Sequence, residues 1–280
     1  MGHRYKGVQR YSLPFKVLGL GLLDNLSNLI TQLFSAGEQG AFYIPRPTVN
    51  GAQVLFQDDA GTVAVTADGD PVGKMLDQSG NGNHATQTVS GSRPVYRTDG
   101  VLHWLEFDGV DGFMETAAID FTGTDNMTVV IGLKKESDST TSSAAELGPD
   151  ITQTDGGFLI LAPSFNGNNS YSVFSSGTSF ARAGAGRFAE APDTAVISML
   201  ANINAPILKI RRNSSLVEST SDSQGTGNYG NHVLTIGARE SKQNYFNGNI
   251  YSLVIRGAET GSTDLDSLEQ YSATQAGVTL

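Results

Sequence analysis

The stretch that most constrains the fold is residues 77–113, where a turn-rich loop is followed by a strand pattern. The loop reads Asp77-Gln78-Ser79-Gly80-Asn81-Gly82-Asn83-His84. Glycine permits positive φ, and Asp, Ser and Asn side chains bond nearby backbone groups, so this composition predicts tight turns. The stretch closes with Leu105-Glu106-Phe107-Asp108-Gly109-Val110-Asp111-Gly112-Phe113. Alternation up to Asp108-Gly109 predicts a strand that runs into a turn.

Alternating apolar residues predict further strands along the rest of the chain. They are expected over residues 127–133, 158–161, 171–174, 195–200, 207–211, 233–237 and 245–255. Asn213 is expected to supply the turn of a hairpin after the fifth of these. A short C-terminal helix is predicted with Thr263 as its N-cap and with Leu265, Leu268 and Tyr271 on its apolar side.

A leucine stripe near the N-terminus predicts a helix over residues 22–34. Leucines recur there at spacings of four and three, with further apolar residues widening the stripe. The candidate contact residues are Leu22, Leu26, Leu29, Ile30, Leu33 and Phe34. A helix this short needs a covering surface in water. That surface is either the chain's own domain, further copies of the chain, or another protein.

Composition excludes several classes of site and partner. The 280 residues include no cysteine, which rules out disulfides and cysteine-based metal sites and favours assembly in a reducing cytoplasm. No run of 18 apolar residues is present, so we expect no membrane insertion. The net charge is −10, although residues 1–50 hold five basic residues against two acidic ones. An acidic body repels phosphate, and we therefore expect no nucleic-acid partner.

Several motifs together resemble a known family. They are L-F-S-A-G-E-Q-G-A-F-Y at residues 33–43, L-F-Q-D at 55–58, K-M-L-D-Q-S-G-N-G-N-H-A-T-Q at 74–87, and an I-G … F-x-G-x-I pair at 236–250. The chain is similar to laminin-G-like (concanavalin A-like) jelly-roll proteins of bacteriophage and prophage particles. The resemblance covers residues 36–278. It departs from the family at Tyr43-Ile44-Pro45-Arg46, where Y-D-P-S is usual.

The resemblance implies an all-β jelly-roll β-sandwich over residues 36–280, with a short C-terminal helix. Residues 1–35 then form an N-terminal helical arm that anchors the sandwich to other virion proteins. The implied function is that of a virion structural protein, assembled in the host cytoplasm and displayed on the particle surface as a tail fibre, tail tip or head decoration. Adhesion to surface glycans and association with further copies of the chain are implied as well. The alternatives are a glycan-active hydrolase on the same fold and a cellular lectin.

The acidic strand Glu106-x-Asp108-x-x-Asp111 bears on the hydrolase alternative. It is similar to the E-x-D-x-x-E strand of laminarinase-type hydrolases, in which two Glu side chains carry out catalysis. Retaining hydrolysis needs two carboxyl groups about 5 Å apart. Asp111 is one methylene shorter than Glu, and Gly109 interrupts the strand before it. We therefore expect no enzymatic activity and assign no catalytic residues.

A calcium site is the second chemical hypothesis. Calcium prefers oxygen ligands, and the candidates are Asp77, Asn81, Asn83, Asp108 and Asp111. The alternative is that these side chains bond their own loop backbones. The four histidines show no zinc spacing.

Tyrosine- and asparagine-bearing loops at residues 166–171 and 229–232 are candidates for stacking on and hydrogen-bonding to sugars, with ordinary turns as the alternative. No serine nucleophile elbow, phosphate loop or dinucleotide motif occurs in the sequence.

Overall fold

A computed structural model describes residues 17–149, 155–164, 169–184 and 190–280. Two helices, α1 (Val17–Phe34) and α2 (Ser262–Ala276), flank a body of β-strands. In chain order the strands are β1 (Gly40–Tyr43), β2 (Thr48–Val49), β3 (Ala52–Gln53), β4 (Leu55–Phe56), β5 (Lys74–Met75), β6 (Ala85–Thr86), β7 (Val95–Thr98), β8 (His103–Asp108), β9 (Met114–Asp120), β10 (Asn126–Lys135), β11 (Ser143–Leu147), β12 (Phe158–Leu161), β13 (Ser172–Ser176), β14 (Phe180–Ala183), β15 (Asp193–Asn202), β16 (Ile207–Arg212), β17 (Ser215–Thr220), β18 (Asn231–Ile236) and β19 (Asn247–Arg256).

The strands form two large antiparallel sheets and one small hairpin. Sheet 1 follows the order β17-β16-β15-β10-β19-β8-β7, with β1 also paired to β19. Sheet 2 follows the order β14-β13-β12-β11-β18-β9-β6-β5-β4, and β2 pairs with β3. Several neighbours in each sheet are distant in sequence, such as β10 and β19 in sheet 1 and β9 and β18 in sheet 2, so the chain crosses repeatedly between the sheets. This arrangement confirms the predicted all-β jelly-roll sandwich.

Several local predictions are confirmed as well. The alternating segment over residues 127–133 lies within β10, and the segment over 158–161 is β12. The hairpin turn falls between β16 and β17, where Asn213 has a φ of 48° and Arg212 pairs with Ser215. Some predicted boundaries are wrong, such as the start of the C-terminal helix. Helix α2 begins at Ser262 with Gly261 as its N-cap, so Thr263 lies inside the first turn.

The core lies between the two sheets and is filled from both. Leu105 and Phe107 of β8 point inward, as their alternation predicts, and each is 1% exposed. The Phe107 ring lies 6.2 Å from that of Phe246. Opposite it, Gly237 at the end of β18 adopts a φ of 85°, and a Cβ there would lie 2.3 Å from the Phe107 ring. Gly237 therefore lets sheet 2 approach sheet 1 closely.

Helix α2 covers the outer face of sheet 1 at β10, β15 and β19. Glu269 on this helix is fully buried and accepts hydrogen bonds from the Ser198 hydroxyl at 2.7 Å and from Arg211 Nε at 2.8 Å. Gly132 of β10 makes room for the helix, because a Cβ there would lie 3.0 Å from the Ser272 carbonyl oxygen. Residues on both faces of β10 are therefore buried, one face by the sandwich core and the other by α2.

The second half of α1 also packs on the sandwich. Arg256 Nε donates to the Leu33 carbonyl at 2.7 Å, and the Gln32 amide donates to the Asp264 carboxylate of α2. Four side chains of the leucine stripe belong to the core, and Ile30 packs against it partly buried. Those four are Leu26, Leu29, Leu33 and Phe34, which are 7%, 7%, 1% and 9% exposed.

This contact corrects the prediction that the leucine stripe anchors the chain to another protein. For these four side chains that prediction is wrong, because the chain's own domain supplies the covering surface. The side chain of Leu22 lies outside the part that the structure describes. The predicted boundary at residue 35 falls directly after residues that belong to the sandwich core. Neither helix, over the residues described, combines the length and apolarity needed to cross a membrane.

Candidate functional site

The loop at Asp77 is organised around a buried carboxylate. Asp77 is 7% exposed. Its Oδ1 accepts from the backbone N–H groups of Phe42 and Ser79, both at 2.8 Å. Its Oδ2 accepts from the Ser79 hydroxyl at 2.7 Å and from the Asn83 N–H at 3.1 Å. Each oxygen therefore has two donors from the protein.

The two asparagines of this loop tie it to β1. The side-chain amides of Asn81 and Asn83 donate to the Gly40 carbonyl at 3.1 Å and 2.7 Å. The Tyr43 hydroxyl donates to the Asn83 carbonyl, and the Asp77 N–H donates to Nδ1 of His84 at 3.1 Å. The loop therefore acts as a hydrogen-bonded clamp on the first strand.

Asp108 and Asp111 belong to a second turn, at the end of β8. Asp108 Oδ1 accepts from the N–H groups of Val110, Asp111 and Gly112 at 2.8, 3.3 and 3.3 Å. Asp111 Oδ2 accepts from the Ser92 hydroxyl at 3.2 Å. Asp108 is therefore a turn-forming group, whereas Asp111 ties the turn to Ser92.

The five predicted calcium ligands therefore fall into two separate groups. Gly40, beside the first loop, pairs with Arg256 of β19, whereas Asp108 pairs with Asn247. Nine positions of β19 separate the two pairs, which at about 3.3 Å per residue is roughly 30 Å. Within the described ranges, no group of three His, Cys, Asp or Glu side chains could hold a metal ion. The calcium site stays a prediction, and hydrogen bonds already engage its candidate carboxylates.

The acidic strand does not present an aligned pair of carboxylates. Glu106 lies on the outer face of sheet 1, where its Oε2 accepts from Arg97 Nε at 3.0 Å. The strand ends at Asp108, and Gly109 turns the chain with a φ of 75°. Asp111 lies five residues after Glu106, an odd separation that alternation along a regular strand places on the opposite face.

The tyrosines predicted to stack on sugars are buried. Tyr171 is fully buried, and its hydroxyl donates to Asp193 Oδ2 at 2.7 Å. Burial raises the pKa of the Tyr171 hydroxyl well above its ordinary value, so the hydroxyl stays protonated. Tyr229 is 1% exposed, and its hydroxyl meets that of Ser175. Neither ring can offer a face to a sugar, so the prediction is wrong for these two residues. Residues 166–168 lie outside the described ranges.

An open groove lies at the end of the sandwich where three loops meet. It is lined by Gly109, Thr140, Thr141, Asn244 and Tyr245, and its volume is about 450 Å³. These residues come from the turn after β8, the β10–β11 loop and the β18–β19 loop. We call this feature the rim groove. It combines one aromatic ring with two hydroxyl groups and one amide.

The aromatic side of the rim groove is held in place by packing. The Tyr245 ring, partly buried, lies 6.4 Å from the Phe113 ring. Lys242 Nζ sits 4.7 Å from the Phe113 ring centre and also pairs with the Glu115 carboxylate. Asn244 has a φ of 53°, a conformation that asparagine tolerates better than most residues. Its carbonyl accepts from the Ser143 N–H at 2.8 Å, which joins two of the loops that line the groove.

A buried ion pair fixes the start of the β18–β19 loop. Glu146 of β11 is fully buried and accepts from Arg239 Nη2 at 2.7 Å and from the Glu240 N–H at 2.8 Å. Both donors lie in the loop that carries Asn244 and Tyr245. This ion pair therefore anchors the groove wall to sheet 2. Removing Arg239 would be costly, because it would leave the buried Glu146 carboxylate without its counter-charge.

Chemically, the rim groove suits a ligand with one apolar face and several hydroxyl groups. An aromatic ring offers a flat apolar surface, while Thr and Asn side chains both donate and accept hydrogen bonds. Sequence reasoning missed the groove because Tyr245 was predicted to start a strand. That strand, β19, begins at Asn247 instead, which leaves Tyr245 in the loop.

No family model matches the chain, and no curated protein matches its sequence. Solved structures of botulinum neurotoxin domains do match its fold. The serotype D ligand-binding domain in complex with N-acetylneuraminic acid has a TM-score of 0.57 at 9% identity, covering 86% of this chain and 52% of that one. A type C structure, described by its interaction with two ganglioside molecules, has a TM-score of 0.55 at 11% identity and covers 88% and 53%.

The type G receptor-binding domain gives a TM-score of 0.52 at 11% identity, over 70% of this chain and 48% of that one. The chain thus spans about half the length of each of these neurotoxin chains. At such low identity the likeness concerns the fold and not the site. The comparisons therefore show that this chain shares the β-sandwich fold of these domains.

Proposed function

We propose that this chain is a lectin-like binding protein that holds a saccharide in the rim groove. The observation that carries the proposal is that Tyr245 lines the groove together with Thr140, Thr141 and Asn244. A sugar ring has an apolar C–H face that can lie on the tyrosine. Its hydroxyl groups can exchange hydrogen bonds with the three polar side chains.

The size and openness of the groove agree with a short saccharide at the end of a longer glycan. Its volume of about 450 Å³ lies within the range of about 300–1,000 Å³ that is usual for small-molecule sites. Loops at the end of a rigid sandwich are a common place for binding residues, because the scaffold holds them without sharing their function. Structures with the same fold that contain N-acetylneuraminic acid or concern gangliosides support a binding role.

Binding without catalysis is the second part of the proposal. The neurotoxin neighbours are described as receptor-binding or ligand-binding domains. In this chain Glu106 is paired with Arg97, and Asp108 caps a turn. The hydrolase alternative predicts sugar release from a laminarin- or agar-type polysaccharide, with loss of turnover in Glu106→Gln. We expect no release by the unaltered protein.

We further propose that the sandwich is displayed on a phage-type particle. Support comes from the motifs at residues 33–43 and 74–87, which resemble those of phage and prophage proteins. Attachment to other virion proteins, or to further copies of the chain, then involves residues 1–25, since the stripe from Leu26 onward lies in the core. Mass spectrometry of purified particles tests this setting, and absence of the chain from them favours the cellular lectin alternative.

The glycan proposal is tested on a glycan array with the full chain and two variants. We expect Tyr245→Ala to bind at least about tenfold more weakly, because a central aromatic contact commonly contributes more than about 1.4 kcal/mol. Phe180→Ala is the matched control, since this exposed phenylalanine lies on β14 outside the groove. Equal binding by the unaltered protein and Tyr245→Ala would place the ligand elsewhere and overturn the proposal.

A further inference from the structure

We infer that the rim groove selects uncharged saccharides and discriminates against sialylated ones. This inference rests on the proposed function and names the class of ligand for the same site. The first observation is that every residue lining the groove is neutral. Recognition there depends on hydroxyl, amide, backbone and aromatic groups.

The second observation concerns the cations on the β10–β11 side of the groove. Lys134 Nζ lies 2.6 Å from Glu136 Oε1. Lys135 is fully buried, where its ammonium group pairs with Asp138 and donates to the Asn169 carbonyl. Both positive charges are thus engaged by carboxylates of the same loop.

Cations on the β18–β19 side are engaged in the same way. Lys242 pairs with Glu115, and Arg239 pairs with the buried Glu146. In the described parts of the three loops that line the groove, each lysine or arginine therefore has a carboxylate partner. The carboxylate of a sialic acid would have to displace one of these partners to gain an ion pair.

The third observation is that negative charge flanks the groove. Asp108 directly precedes Gly109 and is exposed, and Glu136 at the start of the β10–β11 loop is exposed as well. The chain as a whole carries a net charge of −10. A like charge brought close to these carboxylates is repelled, and that repulsion weakens as salt screens it. A neutral sugar meets no such penalty.

The solved structure with N-acetylneuraminic acid shares the fold of this chain and not its sequence, at 9% identity. Ligand class follows from the groups in a site and does not follow from the fold. The charges around the rim groove therefore outweigh the likeness to that structure in assigning the ligand class.

The experiment compares matched glycans with and without a terminal sialic acid. The full chain is applied to an array of sialylated oligosaccharides, and to the same array after sialidase treatment. We expect the sialylated member of each pair to bind about fivefold more weakly, as one unscreened like-charge contact of about 1 kcal/mol implies. We also expect high salt to narrow that difference.

Glu136→Gln provides the mechanistic arm, because it removes one flanking carboxylate and releases Lys134. We expect it to raise the ratio of sialylated to neutral binding several-fold. Asp222→Asn is the matched control, since this exposed acid lies in the β17–β18 loop, which contacts the chain near the start of β10 and not near its end. We expect Asp222→Asn to leave the ratio unchanged.

Each outcome bears on a different claim. Equal or tighter binding of the sialylated members overturns the inference and leaves the proposed function standing. A ratio that does not change in Glu136→Gln overturns the electrostatic basis of the inference. Failure of the chain to bind either member of any pair overturns the proposed function, and the inference falls with it.

Discussion

Replacing Asp77 with asparagine should destabilise the whole sandwich, although the loop lies at its surface. The Asp77 carboxylate accepts four hydrogen bonds, and the side chain is 7% exposed. In Asp77→Asn an NH₂ group replaces one carboxylate oxygen. That group cannot accept hydrogen bonds, so the two donors that faced the oxygen lose their acceptor. Hydrogen bonds to charged groups contribute about 1.5–3 kcal/mol each, so the loss of two should cost about 3–6 kcal/mol.

Urea unfolding at neutral pH measures this cost. The midpoint should fall with little change in slope, and the melting temperature should drop by about 10 °C, given roughly 2–4 °C per kcal/mol for domains approaching this size. Asp111→Asn is the matched control, because its carboxylate has a single side-chain partner, Ser92. We expect that variant to lose less than about 1 kcal/mol. If the Asp77→Asn protein is as stable as the unaltered chain, the loop does not stabilise the sandwich as a hydrogen-bonded clamp.

The same variant separates the clamp from a calcium site. Because protein donors already occupy the acceptor positions of Asp77, calcium should leave the melting temperature of the unaltered chain unchanged, and so should a chelator. A ligand that binds only the folded state raises its stability by mass action. If calcium raises the melting temperature and Asp77→Asn abolishes that rise, the loop is a metal site and the clamp is not its main role.

Two further substitutions test the core. Leu33→Ala should lower the free energy of unfolding in urea by about 2–5 kcal/mol, because the side chain is fully buried. Thr31→Ala, at an exposed position of the same helix, is the control and should change it little. Equal effects of the two variants would mean that the helix is a separate arm and not part of the core. Gly237→Ala should cost about 2–4 kcal/mol by combining a positive φ with a clash against Phe107, whereas Gly227→Ala, with a positive φ and open space, should cost only about 1 kcal/mol.

Local chemistry explains why much of the fold could be predicted. The Asn213 hairpin and strand β12 were identified because turn preference and side-chain alternation act over a few residues. The inward faces of Leu105 and Phe107 followed from the same alternation. Such features are determined by neighbours in sequence, and no knowledge of the distant partner strand is needed.

Strand β11 shows where that reasoning stops. Its sequence, Ser-Ala-Ala-Glu-Leu, is poor in strand-favouring residues, and no strand was predicted there. Pairing with β12 and β18 makes it a central strand of sheet 2. Its Glu146 is buried, and the counter-charge comes from Arg239, which lies 93 residues further along the chain. Tertiary contacts determined this element, and the sequence around it does not reveal them.

The prediction for the leucine stripe was wrong for a different reason. Its periodicity predicted a helix and the face that must be covered, and the structure has both. The identity of the covering surface depends on residues more than 200 positions away, such as Arg256 and Asp264. A hydrophobic period states that a partner is needed and carries no information on whether that partner is the same chain.

The candidate site was hidden from sequence reasoning for a related reason. In the Asp77 loop Asp, Asn and Gly residues lie close together in sequence, and this composition suggested a metal site. In the structure its oxygens are taken up by its own backbone and by β1. The rim groove, by contrast, takes single ordinary residues such as Thr140 and Tyr245 from loops about 100 positions apart. A fully bonded motif shapes the fold and has little left to offer a ligand, whereas a groove at a loop junction is formed only when the fold brings its residues together.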